Sequence, residues 1–444
     1  MTTMSESADQ ELSRALQQLS RWIEPEWVDG LQPSGDSAVY TPWAVTWMLV
    51  YQRLHGGASL EAAVARFAPI ADRWSTNRRA TEDRLSLNSG GYSVARSRLC
   101  VSVAEAVADR VFDSLASESP SPIPHRRAFT LDGTTTTLDS VPALRRAFPP
   151  AHNQHGVSAW PVCRLLTAHE VSSGCMIRPE IGAVFGPNAV GEVALARALL
   201  RRLPANSMLL GDRNFGTFAF THAAKSAGHD VILRLTVKRF RAMLRAATEV
   251  RPGTWALTWK PSVADRRSNP DLPNDASVVG WMHEVVLSST LTLHLVTTLP
   301  DDATMIARWY GHRGDVETDI RDMKRTLNLH QIHCRGVEML HKEVAMATVA
   351  YNLVVQVRRL AAQAAKIAPR RLSFSGVRTL VNAMLLAPLL EPLTAADWRK
   401  RFDSVLRGAL QRQVPSRSGR NYPRTVLYRG TAYRKRKPPD DPVI

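Results

Sequence analysis

The first hydrophobic pattern of the chain is that of amphipathic helices. In residues 44–54, 60–67 and 101–115 the apolar side chains recur every three or four positions, which is the period of one helical face. The run Ser-Pro-Ser-Pro-Ile-Pro at 119–124 ends this pattern, because proline interrupts regular backbone hydrogen bonding. We therefore predict an all-α N-terminal domain over residues 1–120, followed by a linker.

A strand pattern follows the linker. Short runs of β-branched and apolar residues at 128–132, 162–168, 175–181 and 207–212 predict strands. Later strands alternate with stretches that have helical periodicity, such as 218–226. Strands followed by strand–helix alternation predict an α/β fold, in which helices pack on a mixed sheet.

One stretch interrupts the alternation. Residues 238–290 combine arginine- and proline-rich loops with strands that carry tryptophan, and the strand pattern resumes at 291–298. We interpret the stretch as a β-rich insertion within a second domain that covers residues 125–375. The pattern of residues 376–444 predicts a C-terminal helical segment and a basic tail that is rich in arginine and tyrosine. Such a tail can bind phosphates and stack on bases, although a disordered, solubilising tail has the same composition.

The composition is strongly basic. Fifty-seven lysines and arginines against forty aspartates and glutamates give a net charge of +17, which favours a polyanionic partner, either nucleic acid or an anionic membrane. The apolar runs are shorter than the roughly 18 residues of a membrane-spanning helix, and the first residues lack the pattern of a secretory signal. We therefore expect a cytoplasmic protein without membrane association.

The cysteines and histidines offer a weak alternative. Four cysteines are scattered without a CxxC pair, which indicates reduced thiols rather than a disulfide framework. His330, His333, Cys334 and His341 lie close in sequence and invite a zinc interpretation. A partnered second half at zinc-finger spacing is missing, so packing or nucleic-acid contact is the favoured role of these side chains.

The most informative chemistry lies between residues 310 and 324. On a helix with 100° per residue, Tyr310, Arg313, Glu317 and Lys324 fall within an arc of about 60°, and an apolar strip runs beside them. A carboxylate flanked by fixed cations suits a metal site that handles phosphates. A solvated helix with ordinary ion pairs would have the same pattern.

Two further carboxylates are predicted at strand ends. Asp132 ends one predicted strand before a glycine, and Asp212 ends another. Such positions are rigid and can face a crevice, although aspartate is also common in turns. Asp139 competes for the first position but follows a threonine run, and we predict it in a loop. With Glu317, the two strand-end aspartates could ligate two Mg²⁺ ions about 4 Å apart, which suits in-line phosphoryl displacement.

The spacing of the helix residues carries a family resemblance. Tyr310–x2–Arg313–x3–Glu317–x6–Lys324 resembles the signature of the insertion-sequence-four family of bacterial DDE transposases. Many relatives have tryptophan directly after the arginine, where this chain has Gly314. Because glycine weakens a helix by up to about 1 kcal/mol, we expect a loose first turn.

Two upstream motifs extend the resemblance. Asp132-Gly-Thr is similar to the first aspartate motif of the family, and Asp212, in the run Gly-Asp-Arg-Asn-Phe, is similar to the second. The resemblance implies a ribonuclease-H-like mixed sheet flanked by helices, with a β insertion between the second aspartate and the glutamate. It also implies Asp132, Asp212 and Glu317 as catalytic residues and as ligands of two Mg²⁺ ions, for which Mn²⁺ can substitute.

The resemblance implies a reaction and its partners. Metal-activated water would cut a phosphodiester bond at a transposon end, and the freed 3′-hydroxyl would attack target DNA or the opposite strand. The partners would be double-stranded DNA, namely terminal inverted repeats and target, and a second copy of the chain in a nucleoid-associated homodimer. Tyr310, Arg313, Lys324 and Arg213 would bind DNA phosphates.

Trp255, Trp259 and Trp281 are candidates for stacking on a base extruded near the cut. Each of them has sheet packing as its alternative role.

Two other functions stay open at this point. A nuclease of the same fold would cut DNA without joining it, and a non-catalytic derivative of a transposase would only bind DNA.

Overall fold

The computed structural model describes residues 22–118, 126–154, 156–289, 291–385 and 394–414. The linker predicted at 119–124 and the basic tail predicted near the C-terminus lie outside these residues.

Two helices of the N-terminal part begin at hydroxyl caps. The Thr41 hydroxyl accepts a hydrogen bond from the Ala44 N–H at 3.3 Å, and the Ser59 hydroxyl accepts one from the Ala62 N–H at 3.1 Å, which satisfies backbone donors that a helix start leaves unpaired. The helices are α1 (Pro25–Leu31), α2 (Pro42–Leu54), α3 (Leu60–Phe67), α4 (Arg78–Thr81), α5 (Gly90–Arg98), α6 (Val101–Glu118), α7 (Pro142–Ala147), α8 (Glu192–Leu199), α9 (Phe218–Ser226), α10 (Val237–Leu244), α11 (Val263–Ser268), α12 (Ala303–Tyr310), α13 (Asp315–Arg321), α14 (Val337–Ala364), α15 (Phe374–Leu385) and α16 (Ala395–Leu410).

The strands of the described residues form one mixed sheet. They are β1 (Ala128–Leu138), β2 (Pro150–Asn153), β3 (Gly156–Glu170), β4 (Met176–Ala183), β5 (Met208–Gly211), β6 (Asp230–Arg234), β7 (Ala247–Arg251), β8 (Thr254–Trp259), β9 (Val278–Ser288), β10 (Leu291–Thr297) and β11 (Gln331–Ile332). Their order is β2–β3–β1–β5–β6–β10–β9–β8–β7, with β4 also on β3 and β11 also on β1. β1, β5 and β6 are parallel neighbours, whereas β3 and β10 pair antiparallel to them. The predicted mixed α/β architecture is confirmed, and the sheet is consistent with a ribonuclease-H-like fold.

The predicted insertion contributes strands to this same sheet. Within residues 238–290, β7, β8 and β9 form an antiparallel series that reaches the rest of the sheet through β10. The insertion therefore lengthens one edge of the sheet, beyond β6.

The first strand is longer than the sequence analysis predicted. Asp132 was expected to end it, but β1 continues through the four threonines to Leu138 and pairs with β3 over Phe129–Thr137. Threonine is β-branched and favours extended backbone, so the threonine run prolongs the strand instead of starting a loop. Asp132 thus lies inside β1.

Helices from both ends of the chain pack around α14. This 28-residue helix is buried along most of its length and contacts α2, α6, α15 and α16. Glu343 of α14 forms buried ion pairs with Arg53 of α2, at 2.6 Å, and with Arg96 of α5. The division into separate domains stays a prediction. Among the described residues there is no helix with the length and apolarity needed to cross a membrane.

Candidate active site

Pairing between β1 and β5 ends after three residue pairs, and the space between the two strands beyond that point is here called the crevice. The two parallel strands pair only over Ala128–Thr130 and Met208–Leu210. Asp132 lies on β1 just beyond the last paired residue, and Asp212 follows directly after β5. Because parallel strands end at the same edge of a sheet, both aspartates lie at the mouth of one crevice.

Each aspartate uses one oxygen to brace its own backbone. The Gly133 N–H donates to Asp132 Oδ1 at 2.9 Å, and the Asn214 N–H donates to Asp212 Oδ1 at 2.8 Å. These local bonds fix the carboxylate planes and leave the two Oδ2 atoms for other partners.

Arg313 lies between three carboxylates. Its Nη2 is 3.1 Å from Asp132 Oδ2 and 3.7 Å from Asp212 Oδ2, and its Nη1 is 3.1 Å from Glu317 Oε1. Residues that are widely separated in sequence therefore converge on one guanidinium. The structure brings together four of the predicted site residues, while their roles in catalysis stay predictions.

The charge of this cluster is not balanced. Three carboxylates face a single guanidinium. Burial raises the pKa of Asp132 to about 6, with the negative charges of Asp212 and Glu192 acting in the same direction and Arg313 opposing them. A site with excess negative charge attracts cations.

The donor set fits a hard divalent cation, with one rearrangement. Carboxylate oxygens are the ligands that Mg²⁺ and Mn²⁺ prefer. Within the described residues, however, no three acidic, histidine or cysteine side chains are close enough to hold an ion as they stand, and the Arg313 guanidinium occupies the space between these three. An ion could bind here if the Arg313 side chain moved aside.

The helical segment that carries Glu317 is irregular. A 3₁₀ turn at Gly311–Gly314 separates α12 from α13, and a π-helical turn at Asp322–Thr326 follows α13. The turn around Gly314 is therefore a tighter 3₁₀ turn, and the predicted looseness of this turn stays a prediction. The π turn contains an extra residue per turn, which a uniform 100° step does not anticipate.

Tyr310 lies away from the surface. Only 7% of it is exposed, and it packs in a hydrophobic cluster with Leu210 and Ile306. Burial raises its pKa to about 12, although Arg313 opposes the shift. The sequence analysis predicted a shared polar face, but the tyrosine ring belongs to the core. Its predicted contact with a DNA phosphate stays a prediction.

The remaining predicted phosphate ligands lie at the edges of the crevice. Lys324 Nζ donates to the Thr135 carbonyl of β1 at 2.8 Å, and burial lowers the pKa of this lysine. Arg213 is exposed in the turn after Asp212. Lys324 is thus held against β1, the strand of Asp132, and Arg213 directly follows Asp212.

Glu192 is a site neighbour that the sequence analysis missed. It starts α8, accepts a hydrogen bond from Asn214 Nδ2 at 3.3 Å, and lies 3.8 Å from Arg164. Its side chain covers Gly133, where a Cβ would come within 2.5 Å of Glu192 Oε1. The glycine directly after Asp132 was a usable signal, because it indicates a close approach at that position.

The histidine and cysteine group does not converge. His333 Nδ1 is 2.9 Å from Asp139, His341 is 3.8 Å from Glu105, and Cys334 is buried. His333 and His341 have separate acidic partners, and Asp139 is paired outside the carboxylate cluster. The role of the group in packing or nucleic-acid contact stays a prediction.

Two of the three tryptophans pack in the core. Trp255 contacts Phe240 edge-on at a ring distance of 5.5 Å, and Trp259 contacts Phe218 at 5.7 Å. Trp281 is half-buried on β9. Base stacking stays a prediction for all three.

Comparison with known proteins identifies one family. The family model described as "Transposase DDE domain" matches residues 124–353, a range that includes Asp132, Asp212 and Glu317. A comparison with curated proteins gives no match.

Proposed function

The chain belongs to the transposase DDE domain family, and we propose on this basis that it is a transposase of the insertion-sequence-four type that cuts transposon ends and joins them to target DNA. The proposed steps are hydrolysis of a phosphodiester at the transposon end and attack of the freed 3′-hydroxyl on a second phosphodiester, as in cut-and-paste transposition.

One observation carries the proposal. Asp132, Asp212 and Glu317 face the same Arg313 guanidinium. Three carboxylates carry more negative charge than one guanidinium neutralises, and a site that holds divalent cations explains the excess.

The proposed metal ligands are the same three carboxylates. Bound Mg²⁺ would supply a nucleophile at neutral pH and would neutralise charge on the reacting phosphate. The backbone N–H groups of Gly133 and Asn214 hold the two aspartates in place. Glu317 is the most exposed of the three, with 60% of its side chain accessible, so it is the ligand that approaches from the DNA side.

Arg313 and Lys324 are proposed to hold the substrate. A guanidinium donates paired hydrogen bonds to phosphate as readily as to carboxylate. Once cations neutralise the three carboxylates, Arg313 is free to bind a phosphate beside the cut. Lys324 lies along β1 on the other side of Asp132, where a neighbouring phosphate would be within reach.

A basic helix beside the crevice suits a DNA backbone. Lys238, Arg241 and Arg245 are exposed on α10 and at its C-terminal end, spread over roughly 10 Å of its axis. Arg239 of the same helix donates to the Gly216 carbonyl in the loop that follows Asp212. This bond ties α10 to the loop that follows Asp212, and a DNA backbone bound at the carboxylates is proposed to contact the exposed cations of α10 as well.

An assay that separates cleaved DNA from joined DNA distinguishes the candidate functions. The substrate is a labelled DNA fragment with the terminal repeats that flank the gene, incubated with Mg²⁺ and unlabelled target DNA. We expect both a cleaved end and a larger product in which the label is joined to target. Cleavage without a joined product would identify a nuclease instead, and binding without cleavage would identify a non-catalytic DNA-binding protein. The proposed homodimer predicts that two ends are held in one complex.

A further inference from the structure

The segment that carries Glu317 is held by three arginines, one in the 3₁₀ turn Pro369–Arg371 and two on α14 and α15. Because α13 has only seven residues and is flanked by a 3₁₀ turn and a π turn, no long regular helix fixes its position. Contacts with the rest of the molecule must therefore determine where the Glu317 carboxylate lies. The apolar side of the segment is fixed by Val316 and Met323, which are fully buried.

Arg370 fixes the same buried side of the segment, on which Asp319 also lies. Its Nη2 donates to Asp319 Oδ2 at 2.6 Å, and its Nε lies 3.2 Å from both oxygens of the same carboxylate. Asp319 is two residues from Glu317 and has no exposed surface. Arg370 Nη1 is also 3.8 Å from Asp315, in the first turn of α13.

The other donors of Arg370 reach the sheet. Nη1 donates to the Val171 carbonyl, and Nη2 donates to the Glu170 carbonyl at 3.2 Å. These carbonyls lie at the end of β3 and in the turn that follows it, and β3 is the neighbour of β1 along Asp132. A single guanidinium thus connects the Glu317 segment to the strand pair that carries Asp132.

Two further arginines repeat this arrangement towards Lys324. Arg358 of α14 lies 3.8 Å from Asp322, and Arg378 of α15 donates to the Thr326 carbonyl at 2.7 Å. The π turn at Asp322–Thr326 is therefore held at both ends. All three arginines lie beyond residue 353, where the match to the family model ends.

We propose that Arg370 is a positioning residue for Glu317, and that the reaction centre of this chain extends through the C-terminal helices to Arg378. The inference rests on the proposed function, in which Glu317 is a catalytic residue. Arg370 acts through Asp319 on the direction of α13 and touches neither DNA nor metal. Loss of Arg370 therefore slows the chemical step more than it weakens DNA binding.

A purely structural role makes a different prediction, and Arg178 provides the matched control. The Arg178 and Arg370 side chains are equally exposed, at 15%. Arg178 donates to Glu105 at 2.7 Å and to Asp109 at 2.9 Å, and these bonds join β4 to α6. If arginine pairs only stabilise the fold, Arg178→Gln and Arg370→Gln should reduce activity in the same way.

The first measurement is the rate of end cleavage in a single turnover, with enzyme in excess of labelled DNA and below the unfolding temperature of each variant. We expect Arg370→Gln to be about 10- to 100-fold slower, since outer partners of ligands have effects of this size. Arg370→Lys should cleave at an intermediate rate, because lysine keeps the positive charge but lacks the forked guanidinium that donates several hydrogen bonds at once. DNA affinity should change by less than about twofold, and Arg178→Gln should cleave at the normal rate.

Arg370→Gln leaves the Asp319 carboxylate buried without its arginine partner. A second variant is used if this unpaired charge prevents folding. Asp319→Asn/Arg370→Gln leaves no unpaired buried charge and should fold, yet it should show the same slow cleavage. The proposal is overturned if the folded double variant cleaves at the wild-type rate, or if Arg178→Gln is slowed equally.

The second measurement does not depend on cleavage. Amide hydrogen exchange in residues 315–326 should be faster in Arg370→Gln than in wild type, and unchanged in Arg178→Gln, because local anchors set local opening. Equal exchange in the two arginine variants would overturn the proposal even if wild type cut no DNA. Absence of cleavage by wild type would instead refute the proposed function.

Discussion

Two charged clusters of this molecule contain carboxylate and guanidinium groups in opposite proportions. At Glu343, two arginines surround one carboxylate, and the Glu343 side chain is only 3% exposed. At Arg313, three carboxylates surround one arginine, and the Glu317 side chain is 60% exposed. The first arrangement neutralises its acid and joins α2 and α5 to α14. The second leaves acid uncompensated at a crevice, which is a poor way to stabilise a fold and a good way to attract cations and a reacting phosphate.

The largest difference between the two clusters should appear in the rate of end cleavage when one of their carboxylates is replaced. Asp212→Asn removes a proposed metal ligand and should lower end cleavage by about a thousandfold or more, with little change in DNA affinity or in the unfolding temperature. Gel analysis of labelled ends, with binding measured in parallel, provides the check. Normal cutting by this variant would refute the metal assignment.

At Glu343 we expect the opposite result, namely a loss of stability without a loss of cleavage. Glu343→Gln leaves two arginines buried without a carboxylate, so the free energy of unfolding should fall by about 3–5 kcal/mol. Urea denaturation measures the loss. Cleavage by the fraction that remains folded should proceed at a normal rate. A stable Glu343→Gln protein that has lost cleavage would mean that the two clusters do not divide the roles in this way.

A smaller effect concerns pH. Burial raises the pKa of Asp322 to about 6 from an ordinary value of 3.8, although Arg358 opposes the shift. The folded protein therefore keeps a proton that the unfolded chain has released, so this group makes the free energy of unfolding fall as pH rises from about 4 to about 6. Asp322→Asn should remove a component on the order of 1–2 kcal/mol over that range. Urea titrations at several pH values test this, and identical pH profiles for variant and wild type would contradict it.

The smallest effect is expected on the basic face of α10. Changing Lys238, Arg241 and Arg245 together to glutamine should weaken DNA binding for all sequences. It should also reduce the slope of log affinity against log salt by about 0.9 for each phosphate that the protein no longer neutralises.

A matched variant removes the same charge elsewhere. Lys366, Lys400 and Arg407 are exposed cations on the C-terminal helical part, and their triple glutamine variant should keep the wild-type salt slope. Equal slopes for both triple variants would show that α10 has no special role in DNA binding.

Much of the site was predictable because it depends on short-range patterns and topology. The buried strand before Asp212 and the spacing from Arg313 to Glu317 are visible in the sequence, and parallel pairing of β1 with β5 then brings the aspartates to one edge. The strand pattern, the helical spacing and the parallel strand pairing together bring residues that are far apart in the chain to one site.

Other features depend on packing that the sequence pattern does not contain. Tyr310 is buried in a hydrophobic cluster with residues of β5 and α12, and the π turn before Leu327 makes tertiary contacts through Asp322 and Thr326. Glu192 reaches Asp132 only because α8 packs over Gly133. None of these contacts has a periodic signature.

The central claim is that Asp132, Asp212 and Glu317 form a metal site in which Arg313 now lies. Anomalous diffraction from crystals of the protein with Mn²⁺ tests it most directly, without any DNA substrate. We expect an anomalous peak within ligand distance of the Asp132 and Asp212 carboxylates, with the Arg313 guanidinium displaced from both. Saturating Mn²⁺ that binds elsewhere, while Arg313 still pairs with the two aspartates, would contradict it.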